Sequence, residues 1–481
     1  MKKIILIAFL LGITFSSCED FEGWNIDDKN PGTVPPAYLL TSTQKDLFYR
    51  MSSPNVNYNI FKFFAQYWTE TQYTDEVNYD IRGRDIGGGL FLYLYRDVLV
   101  DLQEAKKITL ANEVVAEEEG TKSAQIGVIE LMEVYTWSVL VDTYGDIPYT
   151  EGLKGVENLI PVYDNDEDIY ADLFTRLDGA LSKLSESAVS FGDADVIYGG
   201  DTEKWMMFGN SLKLRMALRI SDYDSALATT KATQAIAGGV FTSEADNFAF
   251  PFETTPPNTN PIWVDLVQSG RNDYLVADTF VNLIAPLNDP RASVFMADNK
   301  DPYIGAPYGI GAAYNDFTHI GDLWHTPDFE GILLSYDEVQ FLLAEAVERG
   351  LISGSAEAFY NEAITGSILY WGGSQADADT YLAQTSVAYA TAATTWKEKI
   401  GNQKYIALYA RGFEAWSSWR MLDYPNTFTR PAVSEEAVPR RYLYGNDDKD
   451  VNPDNYAAAS AAMGGDNKDS RVFWDITGVG N

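Results

Sequence analysis

Residues able to make or break bonds are sparse in this sequence. Of 481 residues only two are histidine, His319 and His325, and one is cysteine, Cys18. The histidines sit six apart in a loop context, which does not match a metal pair on a helix, and no thiol stands near to join them. No nucleophile elbow, phosphate-binding loop or dinucleotide fingerprint occurs. Gly309-Ile310-Gly311 comes nearest, but Tyr314 ends the pattern and no strand precedes it. The 70 Asp and Glu residues offer carboxylate pairs in such number that none signals glycoside hydrolysis. Asp448-x-Asp450-x-Asn452-x-Asp454 opens like a calcium loop, yet Pro453 and Ala459 occupy positions that need Gly and Glu. A solvated acidic turn is the expected reading there, with calcium the minor alternative. No catalytic group, cofactor or metal is assigned, and the chain reads as a non-enzyme, with a surface glycoside hydrolase the alternative from another class.

What remains is the chemistry of contact. Carbohydrate capture needs flat rings for the apolar faces of sugars, flanked by amides and carboxylates for their hydroxyls. Residues 303–324 supply both, in Tyr303, Tyr308, Tyr314, Asn315, Asp316, Phe317 and Trp324. A second set is Tyr73 and Tyr79, with Gln72, Asp75, Asn78, Arg82 and Arg84 beside them. For every ring the competing reading is that it pins its loop to the core. Trp68, Trp416 and Trp419 read as core.

The elements that must position these residues are helical. Residues 335–349 open with Ser335 and Glu338 as a capping-box pair, carry an apolar stripe through Val339, Leu342, Leu343, Ala346 and Val347, and close at Gly350. A second helix from about Ala356 to Trp371 ends at Gly372-Gly373, and the short connection folds the two into an antiparallel hairpin. Leu343-Ala344, Ala356, Tyr360 and Ala363 fall on the small and large positions of a tetratricopeptide-like repeat. Trp205-x-x-Phe208-Gly209-x-x-Leu212 matches the first half of another, Tyr170 to Leu184 carries a further stripe, and a helix runs from about Lys122 to Tyr144. The expected fold is all-α, a solenoid-type core of helical hairpins bearing long ligand-binding loops. No alternating run predicts a major sheet, and 241–272, 297–330 and 425–481 read as long loops.

Address and charge narrow the function further. Met1-Lys2-Lys3, the apolar run from Ile4 to Phe15 and Ser16-Ser17-Cys18 read as a signal peptide over 1–17 with Cys18 as the lipidated first mature residue. An acidic, turn-rich tether spans 18–34, and 35–481 reads as one helical domain. The lipid is the only membrane attachment expected. A net charge of −35 excludes a nucleic-acid partner.

Motifs along the mature chain resemble the SusD/RagB nutrient-binding outer-membrane lipoproteins of Bacteroidetes-type bacteria. They run from Tyr144-Gly145-Asp146-Ile147-Pro148-Tyr149 and Tyr198-Gly199-Gly200-Asp201 to Leu287-Asn288-Asp289-Pro290-Arg291 and Pro307-Tyr308-Gly309. Tyr336-x-Glu338-Val339, Gln403-Lys404-Tyr405 and Gly412-Phe413-Glu414-Ala415-Trp416 complete the set. The resemblance implies a surface lipoprotein that binds a glycan, or in some lineages a peptide, and delivers it to a SusC-like TonB-dependent transporter without catalysis. Trp419-Arg420-Met421 departs from the family pattern, which is more basic and less aromatic there, and Tyr405 stands for an expected Trp.

Overall fold

The computed structural model of the protein describes residues 34–476. The signal peptide, Cys18 and all of the tether except its last residue lie outside the described residues.

Ten helices form the frame: α1 (Pro36–Ser52), α2 (Val100–Ala111), α3 (Glu119–Tyr144), α4 (Asp166–Leu184), α5 (Thr202–Arg219), α6 (Ser225–Gly238), α7 (Tyr336–Glu348), α8 (Ala356–Tyr370), α9 (Trp396–Ala407) and α10 (Gly412–Leu422). They pair as four antiparallel hairpins, α3/α4, α5/α6, α7/α8 and α9/α10, and α5 and α9 both lean on α7. This is the predicted helical-hairpin core. Small residues sit where helices cross. A Cβ at Gly127 would lie 2.9 Å from the Ala180 carbonyl, and one at Gly209 would lie 2.8 Å from Leu181. Tyr360 fills the space beside Ala344 and Ala363, its hydroxyl donating to the Val387 carbonyl at 2.7 Å.

Helix α3 is long and apolar enough to cross a membrane, but most of that stretch is buried against its neighbours, as a core helix is. Two small antiparallel sheets complete the scaffold: β1 (Trp68–Glu70) with β3 (Tyr274–Val276), and β2 (Phe248–Phe250) with β4 (Gly331–Leu334). Phe248 of β2 stacks on Phe208 of α5 at 4.0 Å.

Three expectations are corrected. Ser335 does stand at the start of α7, but its side chain caps nothing: its hydroxyl donates to Asp337 and accepts from Arg411, while Glu338 pairs with Arg215 at 2.7 Å. A strong partner from another helix outcompetes a local cap. The loop over 425–481 holds helices at Asn446–Val451 and Pro453–Ala462. Pro453 occupies the opening turn of the second, where a missing N–H costs nothing. The same signal starts a helical turn at Pro261 inside 241–272, where the Asn260 side chain accepts from the Ile262 amide at 2.7 Å. The Asp448-to-Asp454 alternation therefore lies on helical turns. Asp448 accepts from the Tyr163 hydroxyl, and Asn452 donates to the Pro161 carbonyl.

Candidate functional site

Thr71 is where three loops are tied together. Leaving β1, its amide donates to the Asp273 carbonyl at 2.8 Å and its hydroxyl to the Asn272 carbonyl at 2.7 Å, while its own carbonyl accepts from Ala312 at 3.0 Å. The segments 71–79, 265–273 and 309–317 thus share one face. Asn78 strengthens the join, donating to the carbonyls of Thr74 and Gly309.

Beside Thr71 lies a polar depression of about 400 Å³, with Gln72, Tyr73, Arg84, Asp265, Arg271 and Asp273 on its walls. Tyr73 is 66% exposed and its backbone has φ +57°. Left-handed backbone costs a residue with a Cβ about 1–2 kcal/mol, so this turn is held by the surrounding structure against the local preference of Tyr73. Asn55 and Asn57 add amides at the rim, and Arg271 pairs with Asp273 at 2.7 Å.

The floor is electrostatically unusual. Glu70 and Glu76 are buried side by side, with Arg84 paired to Glu76. Burial first, then the neighbouring Glu76, pushes the Glu70 carboxyl up to about 9, and burial raises Glu76 as well. The pair therefore holds a proton at neutral pH. On the wall, burial and then Asp273 push Asp265 up to about 6. Among the described residues no group of His, Cys, Asp and Glu is arranged to hold a metal ion.

The structure divides the eight predicted ligand residues. Tyr73, Tyr303, Tyr314, Asn315 and Asp316 lie wholly or partly at the surface. Tyr314 stacks on the His319 imidazole, ring centroids 3.8 Å apart. Tyr79, Tyr308 and Trp324 are corrected to core: a ring at 0–4% exposure offers no face to a ligand. The Tyr308 hydroxyl donates to the Phe63 carbonyl at 2.6 Å, and its ring lies 6.2 Å from that of Tyr79. Trp324 meets Trp68 edge-on at 6.4 Å, and the buried Lys62 ammonium sits between the two rings. Burying these rings holds 303–324 in place, since an irregular loop needs apolar anchors to offset its ordering entropy. Asn55, Asn57, Asp265, Arg271 and Asp273 went unforeseen. The Asn-rich run at 55–59 was the legible signal for the first two; the others carry no signal without the β1–β3 pairing.

The helical-hairpin scaffold thus bears a loop-built polar depression with one exposed ring beside it. The chain belongs to the SusD-like family described as "Starch-binding associating with outer membrane", whose family model matches residues 28–445. Among solved structures it is similar to a chitin-binding protein, at 27% identity and TM-score 0.78 over 92% of this chain and all of the other. It is also similar to a chitin-binding SusD homologue from Flavobacterium johnsoniae, at 25% identity and TM-score 0.76 over 92% and 98%. A SusD homologue from Bacteroides vulgatus shares the fold at 23% identity and TM-score 0.79 over 92% and 97%. No curated protein sequence matches the chain.

Proposed function

We propose that the protein is a lipid-anchored binding protein of the outer-membrane surface, which takes up a glycan on its loop face and passes it to a SusC-like TonB-dependent transporter without changing it chemically. Cys18 carries the anchor in this reading, and no cofactor takes part. Family membership supports the class, and the chitin binding named for two structural relatives supports a glycan as ligand. The observation that carries the reading is Tyr73, held outward at 66% exposure beside a depression lined with amides, carboxylates and guanidinium groups. A sugar ring laid on Tyr73 places its hydroxyls among those groups.

Affinity electrophoresis of residues 19–481 through gels containing chitin derivatives, starch, xylan and other polysaccharides tests it. Retardation by one glycan, relieved in Tyr73→Ala, is the expected result. Absence of retardation by every glycan, with measurable binding of basic peptides instead, would replace the glycan by a peptide. The acidic floor and walls of the depression are what favour that second reading.

A further inference from the structure

We propose a second saccharide subsite where α10 runs into the segment 423–428, a depression of about 300 Å³ that shares no lining residue with the one beside Tyr73. It rests on the glycan reading above. Trp419, Asp423, Tyr424, Asn426, Phe428 and Arg440 line it.

Trp419 is 7% exposed, and its ring has two partners. Phe428 stacks on the indole at 5.2 Å, and the Arg440 guanidinium lies 4.8 Å from its centroid. Its indole N–H has no acceptor among the described residues. Other buried indoles are paired: Trp68 with the Tyr409 hydroxyl, Trp205 with Asp195, Trp416 with the Pro439 carbonyl and Trp474 with Asp142. Those of Trp324 and Trp371 are also unpaired but sealed in the core; those of Trp137 and Trp419 are unpaired and not sealed, and of these two rings only Trp419 lines the depression. A donor that is not sealed in the core can bind water there or exchange that water for an acceptor on a ligand.

Asp423 supplies the complementary group. It ends α10 with φ +59°, a position where Gly or Asn is the usual solution. Ending the helix does not require a carboxylate. That carboxylate stands 3.6 Å from Arg440 Nη2, beyond a direct hydrogen bond, while Arg440 Nη1 is committed to Asp475 at 2.9 Å. The gap leaves an acceptor and two donors facing one small space. An anion would meet Asp423 and a cation would meet Arg440, so a neutral ligand rich in hydroxyls fits best. One hydroxyl can donate to Asp423 while a second oxygen accepts from Trp419.

Tyr424 provides the apolar wall. Gly401 of α9 makes room for it, because a Cβ there would lie 2.6 Å from the Tyr424 Cβ. Tyr424 also lines a shallower depression with Thr395 and Trp396, so a chain of sugars can continue across its ring.

The test follows tryptophan indole resonances of the full mature protein by ¹H–¹⁵N NMR. Chitotetraose, maltotetraose, cellotetraose, xylotetraose and laminaritetraose are added in turn, and the Trp419 signal is identified by its loss in Trp419→Phe. The expected result is a saturable shift of that signal with at least one of them, retained in Tyr73→Ala. Asp423→Asn should weaken the response about tenfold. Asp423→Gly, which preserves the helix end, should weaken it equally and guards against misfolding. A Trp419 signal unmoved by every probe, or moved only while Tyr73 is present, overturns the second subsite. Glycan binding through Tyr73 with a silent Trp419 overturns this inference alone; a silent spectrum together with unretarded electrophoresis overturns both readings.

Discussion

The hairpin scaffold and the loop face solve opposite problems with similar residues. In the scaffold, charge is buried and closed on itself. Arg215 of α5 pairs with Glu338 of α7, and Arg219 reaches Glu414 of α10 at 2.6 Å and Asp142 of α3 at 3.1 Å. Asp289 and Arg291 form a fully buried pair that Gln403 joins. At the loop face, charge is left open. Arg84 is 40% exposed, Arg271 57%, and Asp265 faces the depression. Closed networks fix the relative positions of helices; open ones leave hydrogen-bonding capacity for a ligand. Glu338, Glu414, Asp289 and Arg291 all lie in the motifs that carry the family resemblance, so those motifs encode the frame and not the ligand.

Breaking the closed network should have the largest effect. Glu414→Ala leaves Arg215 and Arg219 buried beside too little negative charge, and a loss of about 3–5 kcal/mol is expected in denaturant unfolding. Replacing a pair together, Arg215→Met with Glu338→Leu, should cost less than Glu338→Leu alone, because no orphaned charge remains. If the double variant is the worse of the two, the network is not closed on itself.

Trp324→Ala tests the boundary between the regions. The ring belongs to a loop by position and to the core by burial. Its removal should lower stability by about 3 kcal/mol or more, with glycan retardation of the folded protein unchanged. Loss of binding at full stability would return Trp324 to the ligand face.

The carboxyl pair under the depression links the two regions through pH. Folding raises Glu70 from 4.5 to about 9, so between these values the folded protein holds a proton that the unfolded chain has released. Its stability contribution is complete below the lower value and falls as pH rises toward the upper one, by at most about 1.4 kcal/mol per pH unit. Thermal melts from about pH 6 to about pH 8 should therefore decline more steeply in the native protein than in Glu70→Gln, whose side chain stays neutral. Parallel melts would show that Arg84 already holds the Glu70 carboxyl ionised over this range.

These contrasts also mark what could be read from the chain. Helix α7 was legible to within a residue at each end, because an apolar stripe closed by Gly350 depends on nothing distant. Its capping box was not, because Arg215 and Arg411 arrive from elsewhere to claim Glu338 and Ser335. Aromatic enrichment marked 303–324 and 68–84 as special, and both do border the candidate face. Composition could not separate Tyr73 from Tyr79: both are tyrosines in polar context and both have positive φ, yet one is exposed and the other fully buried. Tyr79 is buried because Phe64, Tyr308 and Gln66, distant in sequence or on another segment, close around it, and neither tyrosine's own neighbours in the chain announce that.

Tyr73 gives the smallest stability effect and the sharpest decision. Glycine accepts φ +57° without the penalty that a Cβ incurs there. A ring that is two-thirds exposed contributes little to the core. Tyr73→Gly should therefore unfold at the same denaturant concentration as the native protein, or slightly higher, by up to about 1 kcal/mol. The same substitution removes the outward ring, and affinity for the retarding glycan should fall about tenfold or more. Stability and binding then move in opposite directions at one residue, which a structural role for Tyr73 cannot produce. A variant that loses stability and keeps its affinity would place Tyr73 with Tyr79 and Tyr308 as an anchor of its loop, and would shift the ligand toward Tyr303 and Tyr314.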